Sequence, residues 1–196
     1  MSEPEMAWRA VREPGPGVIA AGDSTPADLT LRSATEHDAA ALHALVTAHV
    51  AEGHLLPRQL DEIRRHADRF VVCVRGKQIT ACAELAPLSA TAAEIRSLVV
   101  AGQFRRAGIA ARLVDRLRTR AKASGFEALC AFTHDPRFFA RQGFSMVPHA
   151  WMPAKIVADC LACPLFRRCG QHAMALPLDE VARFTAADAS QRVAVA

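Results

Sequence analysis

The chain has no tyrosine, so no phenolic hydroxyl can act as a proton donor anywhere in it. It has no apolar run of membrane-spanning length, so no transmembrane helix is expected and no membrane partner with it. No internal repeat appears, which sets aside repeat architectures. Neither sign of charge dominates: 24 Lys and Arg against 20 Asp and Glu leave a net +4. The arginines are dispersed along helices and form no dense basic patch, which argues against nucleic acid as a partner. A mild positive field of this size would still help steer an anionic cofactor. The opening Met1-Ser2-Glu3-Pro4-Glu5 lacks a basic stretch followed by an apolar core, so a secretory leader is not expected. Six cysteines in such a chain point to thiols or metal ligands before disulfides, and the expected compartment is the cytoplasm.

What is present fits one globular domain. The 196 residues are 51% hydrophobic and 22% charged, ordinary values for a chain long enough to bury a core. Residues 1–28 hold Pro4, Pro14, Gly15, Pro16, Gly17, Gly22 and Pro26 and read as a flexible N-terminal arm. The folded domain is expected over 29–178 and a C-terminal tail over 179–196. Leu29–Arg32 reads as a strand. A helix follows, capped by Ser33 or Thr35, with Ala41, Leu42, Leu45, Val46 and His49 on one side and Gly53 at its end. A second helix is expected over Arg58–Ala67. Phe70–Arg75 and Ile79–Leu85 form a hairpin across Gly76-Lys77. Further strands are expected at Ala93–Val100, Leu129–Phe132, Ser145–Pro148 and Ala173–Leu178. Asp135 caps a short helix with Pro136 in its first turn. This order implies a mixed α/β sheet.

The junction after Val100 carries most of the functional information. An apolar strand runs into Arg105-Arg106-Ala107-Gly108-Ile109-Ala110. Beyond it Ala110, Leu113, Val114, Leu117 and Ala121 recur at helical spacing, and the helix stops at Gly125. Small residues at Gly108 and Ala110 let a large ligand approach the backbone. A helix N-terminus opening on such a turn offers unpaired amides and positive dipole, which suits a phosphate. The expected ligand is the pyrophosphate of an acyl-coenzyme A.

Arg105-x-x-Gly108-x-Ala110 after one strand, with Phe138-Phe139-x3-Gly143-Phe144 after the next, resembles the GNAT N-acetyltransferase superfamily. A narrower resemblance is to the short-form N-acetylglutamate synthases. It rests on Gly53-x-Leu55-Leu56-Pro57-Arg58, on Glu94–Val100, and on Lys155-x3-Asp159-Cys160-x2-Cys163-Pro164-x-Phe166-x2-Cys169 followed by Ala173-Met174. The resemblance implies the GNAT fold: a mostly antiparallel mixed sheet splayed at the acetyl-CoA site and flanked by helices. It implies acetyl-CoA as cosubstrate and an amino acid, L-glutamate first, as acceptor; the alternatives are another small amine or a protein N-terminus as acceptor, or a non-catalytic acyl-CoA-binding regulatory module. A main-chain amide near Leu98, Val99 and Val100 would bind the thioester carbonyl, and Phe139 joins the cradle on the cofactor side. Glu94 is the implied base for the acceptor ammonium, directly or through a water. Its alternative is an ion pair with Arg96, two residues along the same strand face. Arg58 is the implied ligand for an acceptor carboxylate, with Arg96 and Lys155 as weaker candidates. The leaving thiolate would be protonated by water, Thr133 or His134, or by nothing, given the missing tyrosine. Oligomeric state stays open, a homodimer included.

Cys160-x2-Cys163-x5-Cys169-x2-His172 has enough donors for one tetrahedral zinc. The competing reading, small buried thiols packing a terminal strand, is preferred, and no metal is expected. Cys73, Cys82 and Cys130 read as core.

Overall fold

A computed structural model describes residues 28–52, 55–163 and 165–178. The expected arm and tail, apart from Asp28, lie outside the described residues, as do Gly53 and Pro164. Seven strands make one sheet: β1 (Leu29–Ser33), β2 (Phe70–Arg75), β3 (Gln78–Pro87), β4 (Ala92–Val100), β5 (Ala128–Thr133), β6 (Ser145–Val147) and β7 (His172–Pro177). Their spatial order is β1-β2-β3-β4-β5-β7-β6, and only β4 and β5 run parallel. The mixed, mostly antiparallel sheet is the one expected from the GNAT resemblance.

The β2 strand has buried residues on both faces because helices cover both. On one face Val71 and Cys73 meet α3 (Ile109–Ala123) through Leu113, Leu117 and Ala121. On the other, Phe70, Val72 and Val74 meet α1 (Ala39–Val50) and α2 (Leu60–Arg65) through Leu42, Val46 and Ile63. Each fully buried leucine or isoleucine here contributes about 1.5–3 kcal/mol relative to exposure. The α3 stripe is the predicted one, and Gly125, at φ +80, ends the helix as expected. A shorter helix, α4 (Pro136–Arg141), starts where Asp135 accepts from the Arg137 amide at 3.1 Å.

Two expectations need correction. Ala41 is exposed, because Ala39 instead joins Leu42 and Val46 in the core. The second helix begins at Leu60, since Gln59 is extended (φ −82, ψ 141), so Arg58 sits in the loop before it. After β6 the chain folds into α5 (Pro153–Lys155) and a π-helical turn at Ile156–Cys160. That stretch carries Lys155 and Asp159 into the site.

Candidate active site

The β4–β5 pairing runs only from Ala92–Ala128 to Ile95–Ala131. Past Ile95, β4 continues to Val100 against β3 alone, and a cleft of about 1190 Å³ opens beside it. This is the expected splay. Within it β4 is bulged. Arg96 faces Glu84 and Val99 faces Cys82, so Ser97 and Leu98 together stand against Ala83. Ser97 takes φ +48 to make the extra step, a conformation that costs a non-glycine residue about 1–2 kcal/mol. Beyond the bulge, the Ala101 amide donates to Thr80 O at 2.9 Å. Strand alternation therefore turns the main chain of Val100, and of Leu98 two residues earlier, away from β3 toward the gap. The Arg105 Nε–H bond to Val100 O, 3.0 Å, comes from that side.

The start of α3 faces the same cleft. Gly108, at φ +73, is its N-cap, and Gly108 O accepts the first helical bond from the Arg112 amide at 3.2 Å. The amides of Ile109, Ala110 and Ala111 precede that bond and have no helical acceptor. No acidic residue occupies the first turn, so the positive end of the dipole is not neutralised from within. Gly108, Ile109, Ala110 and Ala111 all line the cleft. Of the predicted site residues only Ala107 does not; it is half-buried and packs on the core. Arg105 lines the cleft, but its Nη2 is held 2.7 Å from both carboxylate oxygens of Glu52. Phe139 is buried between Phe138 and Phe144, edge to face with each. Helix-start amides and a diverging strand lining one cleft are features that suit an acyl-CoA.

The opposite end of the cleft is built from charges. Glu94, 3% exposed, accepts Lys155 Nζ at 2.7 and 2.9 Å and Arg96 Nε at 2.7 Å. The Arg96 pairing that strand spacing allowed is therefore present. Asp159 bridges the same two cations, 2.5 Å from Arg96 Nη2 and 2.8 Å from Lys155 Nζ. Lys155 Nζ also lies 5.0 Å from the Phe132 ring centroid, within cation–π range. Burial raises the Asp159 carboxyl pKa, but Lys155 and Arg96 outweigh it and hold the group below its usual range. Burial opposes the charge of Arg96 as well, and Glu94 and Asp159 more than restore it.

Arg58 is engaged on two edges. Its Nε donates to both Glu62 oxygens at 3.1 Å and its Nη2 to Glu62 Oε1 at 2.7 Å. Its Nη1 donates to Glu84 Oε2 at 2.8 Å and to Ser97 Oγ at 3.1 Å. Glu62 lines the cleft and Glu84 does not; Glu84, 1% exposed, sits behind the guanidinium. Burial works against the Arg58 charge, but the two glutamates raise its pKa above the ordinary arginine value. Burial likewise raises Glu62, and Arg58 outweighs it to hold that carboxyl low. Sequence reasoning missed Glu62, Glu84 and the pairing role of Asp159. A signal existed for Glu84: a carboxylate in the apolar run Cys82-Ala83-Glu84-Leu85 must find a cation once buried.

Thr133 and His134 line the cleft, and Thr133 Oγ1 closes the turn to the Asp135 amide at 3.0 Å. The cysteine cluster departs from the preferred reading of buried thiols: Cys160 and Cys163 are half-buried and Cys169 is exposed, because they lie in turns before β7. Among the described residues no three His, Cys, Asp or Glu side chains converge as metal ligands. Cys73, Cys82 and Cys130 are buried as expected, and burial pushes the Cys82 and Cys130 thiols up to about 12. No helix among the described residues is long and apolar enough to cross a membrane.

Residues 36–144 match the acetyltransferase (GNAT) family, and the chain belongs to it. It is an acetyltransferase of that fold. It is 32% identical over 148 residues to an uncharacterized N-acetyltransferase of Chlorobaculum tepidum, covering 76% of this chain and 96% of that protein. It is 30% identical over 127 residues to an amino-acid acetyltransferase of Ectopseudomonas mendocina, covering 64% of this chain but 29% of that protein. Among solved structures it resembles the N-acetylglutamate synthase of Neisseria gonorrhoeae complexed with coenzyme A and N-acetyl-glutamate. The TM-score is 0.70 at 22% identity, over 79% of this chain and 36% of that one. A Mycobacterium tuberculosis protein in complex with CoA aligns with a TM-score of 0.65 at 23% identity, over 76% of this chain and 98% of that one.

Proposed function

We propose that the protein transfers the acetyl group of acetyl-CoA to the α-amine of an amino acid, with L-glutamate the favoured acceptor, by direct attack in a ternary complex. The observation that carries this reading is that the helix-start amides and the charged cluster of Arg58, Glu94, Arg96 and Lys155 line one cleft. Acetyl-CoA supplies the activated acyl group. The amides of Leu98–Val100 hold its carbonyl oxygen, a type of contact whose loss costs about 2.7–4 kcal/mol of barrier where a single donor has been removed. Glu94 receives the proton that the acceptor ammonium must lose, at the end of the cleft where β4 and β5 are still paired. The Nε and Nη2 fork of Arg58, filled by the partly exposed Glu62, has the bidentate geometry for an acceptor carboxylate that replaces Glu62. Arg96 and Lys155 are the second cationic pair, with Asp159 as the group displaced. Cys82 and Cys130 are buried and hard to ionise, so neither acts as a nucleophile.

One observation favours a second reading, the same transfer to a less acidic amine. The network joins three cations, Arg58, Arg96 and Lys155, to four carboxylates, Glu62, Glu84, Glu94 and Asp159, so an incoming dicarboxylate must exchange places with the protein's own acids. A panel of amino acids, polyamines and peptide N-termini, read by release of free CoA thiol, decides between them. Turnover highest with L-glutamate supports the first reading. Turnover with neutral amino acids or polyamines and none with glutamate overturns it in favour of the second.

A further inference from the structure

The two edges of Arg58 do different things, and the inward edge is held by groups of the β3 and β4 strands. It points to Glu84, which is shut off from the cleft, and to the hydroxyl of Ser97. Ser97 is the bulge residue at φ +48, the step that shifts the β3–β4 register between Cys82 and Glu84. A second restraint acts on the same residue: the buried Cys82 thiol donates to Ser97 O at 3.5 Å. A serine in the left-handed region persists only where its surroundings hold it there. Here the hold consists of a buried carboxylate, a guanidinium anchored to it, and a thiol on the neighbouring strand. The bulge in turn sets which way the main chain of Leu98 and Val100 faces, because one residue more or less in a strand reverses every group after it.

We infer that Glu84 is a positioning residue for acyl transfer: through Arg58 it locks the Ser97 bulge and thereby aims the Leu98–Val100 amides at the thioester carbonyl. This rests on the acyl-transfer reading above, and it separates Glu84 from Glu62 although both bind one guanidinium. Glu62 lies on the acceptor side and governs access to the outward fork. Glu84 lies behind and governs the geometry of the strand.

The test compares Glu84→Gln and Glu62→Gln, each alone and in a Ser97→Gly background, where glycine takes the positive φ without restraint. Glu84→Gln is expected to lower kcat about tenfold or more, as misplacement of a contacting group does, with the acceptor KM changed less than twofold. Ser97→Gly is expected to keep most of the activity and to abolish the Glu84→Gln defect. Glu62→Gln is expected to move the acceptor KM and leave kcat nearly alone. A Glu84→Gln defect confined to acceptor KM, or one as large in the Ser97→Gly background as in wild type, overturns the inference. Should Glu84→Gln not fold, Ser97→Ala removes only the hydroxyl, and an unchanged kcat there overturns it equally. A readout without any acceptor is the infrared band of bound acetyl-CoA labelled with 13C at the carbonyl. The band should lie below its free position in wild type, move back toward it in Glu84→Gln, and return in the double variant. A shifted wild-type band that Glu84→Gln leaves in place sinks the positioning role alone. A wild-type band that is not shifted removes the amide contact itself, and both readings fall.

Discussion

The two ends of the cleft offer polar donors to a ligand by opposite means. At the α3 end the donors are main-chain amides freed by a helix start and a glycine at positive φ. At the α2 and α5 end they are arginine and lysine side chains, each already held by carboxylates of the protein. Amides on a packed helix are fixed by the fold and need no counter-charge, so they suit a cosubstrate common to every turnover. Cations half-buried among acids are costly to desolvate and must be paired. They can be re-paired only by a ligand that brings its own carboxylate, or by one that leaves the network intact. On the function proposed above, the first end would recognise a class of ligand and the second would discriminate within one.

That contrast breaks most sharply at Glu94. Glu94→Gln removes the β4 carboxylate that Lys155 and Arg96 share. As a general base it is expected to account for about 10²–10⁴ in kcat, with calorimetric affinity for CoA unchanged. A kcat within threefold of wild type would return Glu94 to a purely structural pairing. The converse change is Gly108→Val. A β-branched side chain at φ +73 is strained by about 1–2 kcal/mol and covers the amides beside it. Affinity for CoA should fall about tenfold or more, whereas acceptor discrimination among amines that still react stays as in wild type. Equal damage to both would show that the two ends are not independent.

The same contrast explains what could be seen in the sequence. The α3 end was legible because its determinants are local: Gly108 follows a strand, opens a periodic helix, and no distant residue is needed to make its amides available. The β2–β3 hairpin and the start of α4 were legible for a similar reason, from the Gly76-Lys77 turn and the capping Asp135. The acceptor end was read only in part. Resemblance brought Arg58, Glu94, Arg96 and Lys155 forward, and they do share the cleft. Glu62 stands four residues after Arg58, a spacing that pairs opposite charges on a helix, and was readable from the expected helix. Glu84 reaches Arg58 from twenty-six residues away and Asp159 reaches Arg96 from sixty-three, and nothing in strand or helix periodicity encodes those two pairings. The π-helical turn at Ile156–Cys160 was missed on the same ground, since short apolar sequence with three nearby cysteines has no clear period of its own.

An arginine–carboxylate pair outside the cleft gives the control for these charges. Arg32 donates to both Asp38 oxygens, at 2.7 and 2.8 Å, and Asp38 Oδ2 also accepts the Thr35 amide at 2.8 Å. The Arg32 bond, against a smaller cost of burial and with help from Thr35, lowers the Asp38 pKa from 3.8 to about 2. A folded-state pKa below the unfolded one means that the pair stabilises the protein above the unfolded value. That stabilisation is lost as pH falls through 3.8 toward 2. The Arg32 side chain is 42% exposed, so solvent screens the pair and its contribution is held to about 1 kcal/mol or less. Asp38→Asn should therefore lower the melting temperature by about 2–4 °C at most near pH 7, and the gap to wild type should narrow as the melt is repeated below pH 3.8 and close only toward pH 2. Acetylation kinetics at pH 7 should not change. A stability gap that is independent of pH would assign the effect to the capping bond from Thr35 alone. A change in kcat would mean that the charges at the edge of the sheet are coupled to those in the cleft.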